Sequence, residues 1–187
     1  TVSESKIFGC GADEKNFTPI IAQIANSDAD CLLSINHETQ AALICQQVEA
    51  AGIDIPLIAS ATVTSAVCRT NAGSSADGWY SVSEWATNVP TEVGKRFEEA
   101  YIKKYNAQPD PSAVIAYDSI LLFKEACEIA NTTTDKEAIN DAISKIKDFP
   151  GAMSVYSYYG NSCLSSSKYL TINRDGEAHV LDIIKVR

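Results

Sequence analysis

Two short polar segments each follow a run of apolar residues, and they are the part of the sequence best suited to binding a ligand. Their six residues are Ser34, Asn36, His37, Ser60, Ala61 and Thr62. If the apolar runs 31–35 and 55–59 are neighbouring parallel strands, both segments lie at the carboxyl edge of one sheet. Loops and helix N-termini converge there with free backbone N–H groups. The sequence therefore predicts one wall of a small-molecule site. For His37, a surface position at the start of a helix is an equally weighted alternative.

The sequence contains no pattern typical of a metal site or of covalent catalysis. Its six cysteines and two histidines are too widely spaced to form a CxxC pair or a cluster of metal ligands. No P-loop, GxGxxG, HExxH or GxSxG motif follows a strand. We therefore predict a protein that is not an enzyme and needs no cofactor. We expect most cysteines to be buried thiols, among them Cys31 and Cys45 on apolar faces, with one or two disulfides as the alternative in an oxidising compartment.

Composition and charge exclude several classes of partner. The formal net charge is −9, the sequence pI is about 4.7, and no basic cluster offsets the acidic residues. A phosphate backbone or an anionic membrane surface would be repelled, so we expect no nucleic acid partner. No apolar run reaches the roughly 18 residues that cross a bilayer, and no signal segment is recognisable in this chain.

The order of apolar patterns predicts an α/β fold. Strands are expected at 6–10, 31–35, 55–59, 78–82, 155–159, 168–172 and 178–186. Helices are expected from about residue 18 and over 38–51, 91–106, 112–130 and 134–147, the fourth of them largely buried. The first three strands alternate with helices, which favours a doubly wound parallel sheet. The run 173–176 is typical of a hairpin turn between the last two strands.

Four aromatic residues need a role in this fold. Trp79, Tyr80 and Trp85 could stack on a ligand, but we expect packing in a core or at a hinge. Tyr117 lies in an expected helix, and we expect a core position for its ring.

The order of several motifs resembles one protein family. The matching segments are 16–21, 28–33, 50–58, 76–80, 97–101 with Lys104, Tyr105 and Pro109, then 116–119, 148–151 and 173–177. In this order and spacing they resemble the second lobe of periplasmic solute-binding proteins that serve branched-chain amino acid ABC transporters.

The resemblance covers only the C-terminal half of such proteins, and it implies an organisation for this chain. Residues 1–84 would form the α/β ligand-binding segment of the second lobe, a doubly wound parallel sheet of the type I periplasmic-binding-protein kind. Residues 85–151 would be a helical segment that returns to the first lobe, and 152–187 would be strands and a hairpin that cross back. Because the other half is absent, a partner or a second copy of the chain would cover the sheet edge beside residues 6–10.

The resemblance also implies a function. The protein would capture a small molecule between two lobes and present it to an ABC permease in the membrane. Its location would be periplasmic or extracellular, with a lipid anchor in a Gram-positive host and the signal segment outside this chain.

The resemblance also indicates a class of ligand, and two alternative functions are considered beside it. Related amino-acid-binding proteins commonly carry an acidic residue in the second loop, where it holds the ligand ammonium. Ser60, Ala61 and Thr62 include no acid, so an organic or aromatic acid is favoured over an amino acid. The alternatives are a ligand-sensing ectodomain or regulator on the same fold, or an α/β enzyme with a thiol nucleophile.

Overall fold

The chain forms two compact units. The computed structural model describes residues 4–86, 91–160 and 164–184. The first unit contains the residues up to Tyr80 together with Asn173–Gly176, and the second contains the remainder. The segments 1–84, 85–151 and 152–187 concern the lobes of a longer protein, and they stay a prediction.

The described residues form a mixed α/β fold. Their helices are α1 (Thr18–Ala25), α2 (Glu38–Ala50), α3 (Ala66–Ala72), α4 (Glu92–Tyr105), α5 (Pro111–Ala130) and α6 (Lys136–Ile143). Their strands are β1 (Leu32–Ser34), β2 (Leu57–Ala59), β3 (Tyr80–Ser83), β4 (Phe149–Pro150), β5 (Val155–Tyr158), β6 (Leu164–Ser166), β7 (Lys168–Arg174) and β8 (Glu177–Ile184). Short 3-10 helices span Ala61–Thr64 and Gly73–Ala76. Within the described residues, no helix combines the length and apolar character that a membrane crossing requires. The predicted fold class is confirmed.

The centre of the first unit is a β–α–β arrangement. β1 pairs with β2 in parallel, with Ser34 opposite Ala59, and α2 connects the two strands. α2 buries Ala41, Cys45 and Val48 on one face, so hydrophobic burial holds it in place. The chain leaves α2 through Gly52 at φ +65°, a backbone conformation that glycine adopts without strain. This part of the predicted parallel sheet is confirmed.

The strand predicted at residues 6–10 is wrong. This segment has no regular secondary structure, and Ile7 is 88% exposed. An apolar run becomes a strand only when a neighbouring strand pairs with its backbone N–H and C=O groups. Within the described residues, the open sheet edge of the first unit belongs to β1, which has β2 as its single neighbour.

The observed burial of individual aromatic and cysteine side chains confirms some of the predictions and contradicts others. Trp79 and Trp85 are buried in the cores of the first and second units respectively, so their core role is confirmed. Cys45 is buried as expected, but Cys31, which directly precedes β1, is exposed, so that expectation is wrong. Tyr80 lies at the start of β3 and is exposed.

Only one stripe of α5 is buried, which corrects the expectation of a largely buried helix. Its Val114 and Asp118 are enclosed, whereas Ile120 is 69% and Phe123 is 52% exposed. Tyr117 lies beside the exposed stripe and contacts Phe97 with ring centroids 4.7 Å apart, so its expected core position is wrong. The apolar sequence of α5 was sufficient to predict a helix but not how many of its faces are covered.

Two other local signals had different outcomes. β7 and β8 are joined at Asp175 and Gly176, both at positive φ, so the predicted hairpin turn is confirmed. α6 is capped by the Asp135 carboxylate, which accepts from two backbone N–H groups, and it ends at Ile143. The helix predicted over 134–147 therefore begins two residues later and ends four residues earlier than expected.

A buried carboxylate organises the second unit. Asp118 is 1% exposed and accepts hydrogen bonds from Ala152 N at 2.7 Å, Met153 N at 2.9 Å and the Tyr156 hydroxyl at 2.9 Å. Burial, and then the Asp118 charge, raises the pKa of the Tyr156 phenol, so this hydroxyl stays protonated and donates. Gly151 is required beside this carboxylate, because a Cβ there would lie 2.7 Å from Asp118 Oδ2.

The Asp118→Asn substitution should destabilise the protein. An amide has one acceptor oxygen and a donor group that would face one of the three donors, so we expect a loss of about 2–4 kcal/mol in the free energy of unfolding. Urea unfolding measures this change. The control is Asp141→Asn on the exposed face of α6, expected within about 0.5 kcal/mol of the parent. Equal stability of the two variants would contradict the assignment.

Candidate functional site

The carboxyl ends of β1 and β2 lie side by side. Ser34 and Ala59 are register partners, and the Ser60 amide donates to the Ser34 carbonyl at 3.0 Å. The parallel pairing therefore continues one residue beyond the end of β2. This contact brings together the two polar segments that the sequence predicted to be neighbours.

Four of the predicted site residues form one hydrogen-bonded cluster, here called the strand-end cluster: Ser34, Asn36, Ser60 and Thr62. The Asn36 amide donates to Ser34 Oγ at 2.9 Å, and the Thr62 hydroxyl donates to the Asn36 carbonyl at 2.9 Å. Ser60 Oγ and Thr62 Oγ1 are 2.8 Å apart. Because the single Thr62 hydroxyl proton goes to Asn36, Ser60 is the donor in this last pair. The cluster fixes both segments relative to each other.

Ala61 and His37 stand at the starts of helices beside the strand-end cluster. Ala61 is the first residue of the 3-10 helix Ala61–Thr64, and its carbonyl accepts from the Thr64 hydroxyl at 2.7 Å. His37 is the N-cap of α2, its side chain is exposed, and it makes no capping hydrogen bond. The first N–H groups of α2 therefore lack a side-chain acceptor from their own N-cap residue, which leaves a partial positive charge at this end.

The strand-end cluster is polar but carries no charged side chain. Ser34 is buried and the other three members are partly exposed, so their hydroxyl and amide groups lie at the boundary between core and solvent. Glu38, exposed in the first turn of α2, is the acidic residue next to His37 in the chain. A neutral polar surface beside a helix N-terminus suits an oxygen-bearing or anionic group better than a cation.

Sequence reasoning missed two residues that approach this region. The Cys10 thiol lies 3.5 Å from Asn36 Oδ1, and the Gln40 amide donates to the carbonyls of Gly11 and Ala12 at 2.9 and 3.1 Å. Gln40 is buried on the otherwise apolar side of α2, and a polar residue at that position was the available signal. It anchors the segment before α1 next to the strand-end cluster.

Two longer side chains hold the 3-10 helix after β2. Asn173 is fully buried and donates to the Val63 carbonyl at 2.9 Å. Arg69 donates to the Thr64 carbonyl at 3.0 Å and to the Gly176 carbonyl at 2.7 Å. These contacts give the second polar segment a fixed position, and the Asn173 side chain makes its contact from 110 residues further along the chain than Val63.

The chain belongs to the periplasmic binding protein family. The family model described as "Periplasmic binding protein" matches residues 9–163, which is most of the chain. The resemblance stated from the sequence motifs is therefore confirmed.

Several solved structures share the fold. A leucine-binding protein, LivK, from Thermotoga maritima superposes with a TM-score of 0.83 at 21% identity, covering 92% of this chain and 49% of that one. The branched-chain amino acid binding protein LivJ from Streptococcus pneumoniae, in complex with isoleucine, has a TM-score of 0.82 at 24% identity, covering 94% and 50%. An ABC transporter solute-binding protein from R. palustris, in complex with benzoate, has a TM-score of 0.80 at 20% identity, covering 91% and 47%. The chain thus spans about half the length of these proteins.

Removal of the Thr62 hydroxyl should loosen the strand-end cluster. Thr62→Val leaves the Asn36 carbonyl and the Ser60 hydroxyl without this partner, and we expect the free energy of unfolding to fall by about 1–2 kcal/mol. Thr62→Ser keeps the hydroxyl and should lose less than about half of that. Urea midpoints of the two variants provide the measurement. Thr70→Val, at an exposed position of α3, controls for the substitution itself. If the valine and serine variants at position 62 were equally stable, the hydroxyl of Thr62 would contribute nothing to the free energy of unfolding.

Proposed function

We propose that this chain supplies one wall of the ligand site in an extracytoplasmic solute-binding protein of an ABC transporter. The main support is the strand-end cluster, which lies at the carboxyl ends of two parallel strands in a chain of the periplasmic binding protein family. In the complete protein, the ligand would be held between two lobes and presented to a permease in the membrane. Ser34, Asn36, His37, Ser60, Ala61 and Thr62 are the proposed ligand-facing residues. No cofactor is required for capture by shape and hydrogen bonding.

We propose that the ligand carries a carboxylate and lacks a neighbouring ammonium, as an organic or aromatic acid does. Ser60, Ala61 and Thr62 offer no negative charge, and an enclosed ammonium without a counter-charge is disfavoured by several kcal/mol. The start of α2, with no side-chain cap from His37, favours a negative group. Among proteins of this fold, one structure holds isoleucine and another holds benzoate, so both ligand classes occur on it.

A thiol enzyme is disfavoured by the positions of the cysteines. A nucleophilic thiol must be accessible and have a lowered pKa. The pKa of Cys68 is lowered chiefly by a hydrogen bond from Cys45, but Cys68 is fully buried. Cys10 and Cys31 are exposed, and the Cys10 thiol donates to Asn36 Oδ1, an amide oxygen that cannot act as a general base.

The unpaired edge of β1 is a place where another chain could add a strand. A second copy of the chain covering an exposed strand stays a prediction, and the edge concerned is that of β1 rather than residues 6–10. In the complete protein, its other half is the competing occupant of that edge.

A ligand screen on the full-length protein tests the proposed function. We expect benzoate and 4-hydroxybenzoate to raise the melting temperature most, with succinate next and isoleucine and leucine least. At 100 times the Kd, binding adds about 2.7 kcal/mol to the stability, which corresponds to a rise of roughly 5–10 °C. Differential scanning fluorimetry provides the ranking, and isothermal titration calorimetry provides the Kd. A larger shift with isoleucine than with benzoate would contradict the proposed ligand class, and no shift with any of the five would contradict the site.

A matched pair of variants at Ala61 locates the ligand. Ala61→Asp places a carboxylate next to Ser60 and Thr62, so it should weaken benzoate binding about tenfold or more through charge repulsion. Ala61→Asn has nearly the same shape without the charge and should weaken it far less. Equal Kd values for the two variants would place the ligand carboxylate away from this loop.

A further inference from the structure

Two cysteine thiols meet in the core of the first unit. Cys45 on α2 and Cys68 on α3 are 1% and 0% exposed, and they belong to the same hydrophobic cluster. Both are free thiols in the structure, and the helices that carry them, α2 and α3, pack against each other with the two side chains within hydrogen-bonding reach. Neither the family match nor the function proposed above requires two cysteines at these positions.

We propose that Cys45 and Cys68 form a disulfide in the mature protein and that this bond stabilises the second half of the candidate site. The chain between these cysteines contains β2 and the residues Ser60, Ala61 and Thr62. A bond from α2 to α3 would close this segment into a loop, and thus restrict one side of the strand-end cluster from both ends. The inference rests on the extracytoplasmic location in the proposed function, because disulfides form and persist in oxidising compartments.

The chemistry is thiol–disulfide exchange with a disulfide of the compartment as the oxidant. One cysteine thiolate attacks the oxidant's S–S bond, giving a mixed disulfide and releasing one oxidant thiol. The other cysteine then attacks the mixed disulfide, which forms the Cys45–Cys68 bond and releases the second oxidant thiol. Two electrons pass to the oxidant, and the two cysteine protons end on its two thiols. Because both sulfurs are buried, the exchange takes place before the core has closed or during local opening.

The hydrogen bond between the two sulfurs assigns different roles to them. It lowers the pKa of Cys68 and raises that of Cys45, because the Cys45 thiol donates to the Cys68 sulfur. Cys68 is therefore the better thiolate of the pair once they are close. Burial and the Glu38 charge oppose this lowering of the Cys68 pKa, and the neighbouring Arg69 guanidinium adds to it to a smaller extent.

Other described cysteines lack this arrangement. Cys10 and Cys31 are exposed, and Cys127 is buried in a different core cluster, which belongs to the second unit. Cys127 therefore offers a matched control: a buried thiol in a helix, outside the proposed pair.

Peptide mapping of the exported full-length protein tests the bond directly. Free thiols are blocked with iodoacetamide in denaturant, and the chain is then cut after glutamate. Trypsin is unsuitable, because no lysine or arginine lies between Lys15 and Arg69, whereas cleavage after Glu38, Glu49 and Glu84 separates Cys45 from Cys68. We expect peptides 39–49 and 50–84 to be linked and to separate on reduction. Alkylation of both cysteines, or a link from Cys31 to either one, would overturn the inference.

Stability provides a second readout that does not depend on mapping. Closing a loop of this length with a disulfide should raise the melting temperature by roughly 5–10 °C. Dithiothreitol should remove that increment from the parent and from Cys127→Ala, but should change nothing in the double variant Cys45→Ala, Cys68→Ala. Because each variant is compared with itself before and after reduction, any cavity left by alanine cancels. A parent insensitive to dithiothreitol would overturn the inference.

The ligand screen on the same preparation separates this inference from the proposed function. Unlinked cysteines in a protein that binds benzoate would overturn the disulfide alone. Linked peptides in a protein that binds none of the five ligands would overturn the proposed function alone.

Discussion

The parallel pairing of β1 with β2 is the constraint on which the rest of the site depends. A shift by one residue would turn every side chain of β2 to the opposite face of the sheet, and the Ser60 amide would lose the Ser34 carbonyl. With the observed register, the Thr62 hydroxyl donates a hydrogen bond to the carbonyl of Asn36, 26 residues earlier in the chain. The burial of α2 against the first-unit core holds this register. The site is therefore a consequence of sheet geometry, and its side chains add fine positioning.

The two units use polar groups in different ways. In the second unit, Asp118 is a buried charge whose oxygens are satisfied by Ala152, Met153 and Tyr156, so it serves the fold. In the first unit, the strand-end cluster is neutral, partly exposed and next to a helix start. A cluster with those properties can bind a further polar group. A fully enclosed carboxylate whose oxygens already have partners cannot.

The sequence predicted elements whose signals are local and repeated. The apolar runs of β1 and β2, the periodicity of α2 and the turn at Asp175 and Gly176 each depend on a few adjacent residues, and they were found. Predictions that depended on which other segments pair with or cover an element were wrong. Residues 6–10 form no strand, and one face of α5 is exposed. α3 was missed, and so was the 3-10 helix Ala61–Thr64, whose Val63 carbonyl accepts from the side chain of a distant residue, Asn173. Four of the six candidate residues are hydrogen-bonded to one another. The polar residue Gln40 on an apolar helix face was a local signal that the prediction overlooked, whereas nothing local indicated the approach of Cys10.

The most direct test of the central claim is a crystal structure of the full-length protein with the tightest-binding acid from the ligand screen. The account predicts a ligand oxygen within about 2.7–3.2 Å of a backbone N–H at the start of α2 or of a hydroxyl of Ser60 or Thr62. A well-ordered ligand elsewhere, with no contact to residues 34–37 or 60–62, would contradict the claim that these two strand ends form the ligand wall.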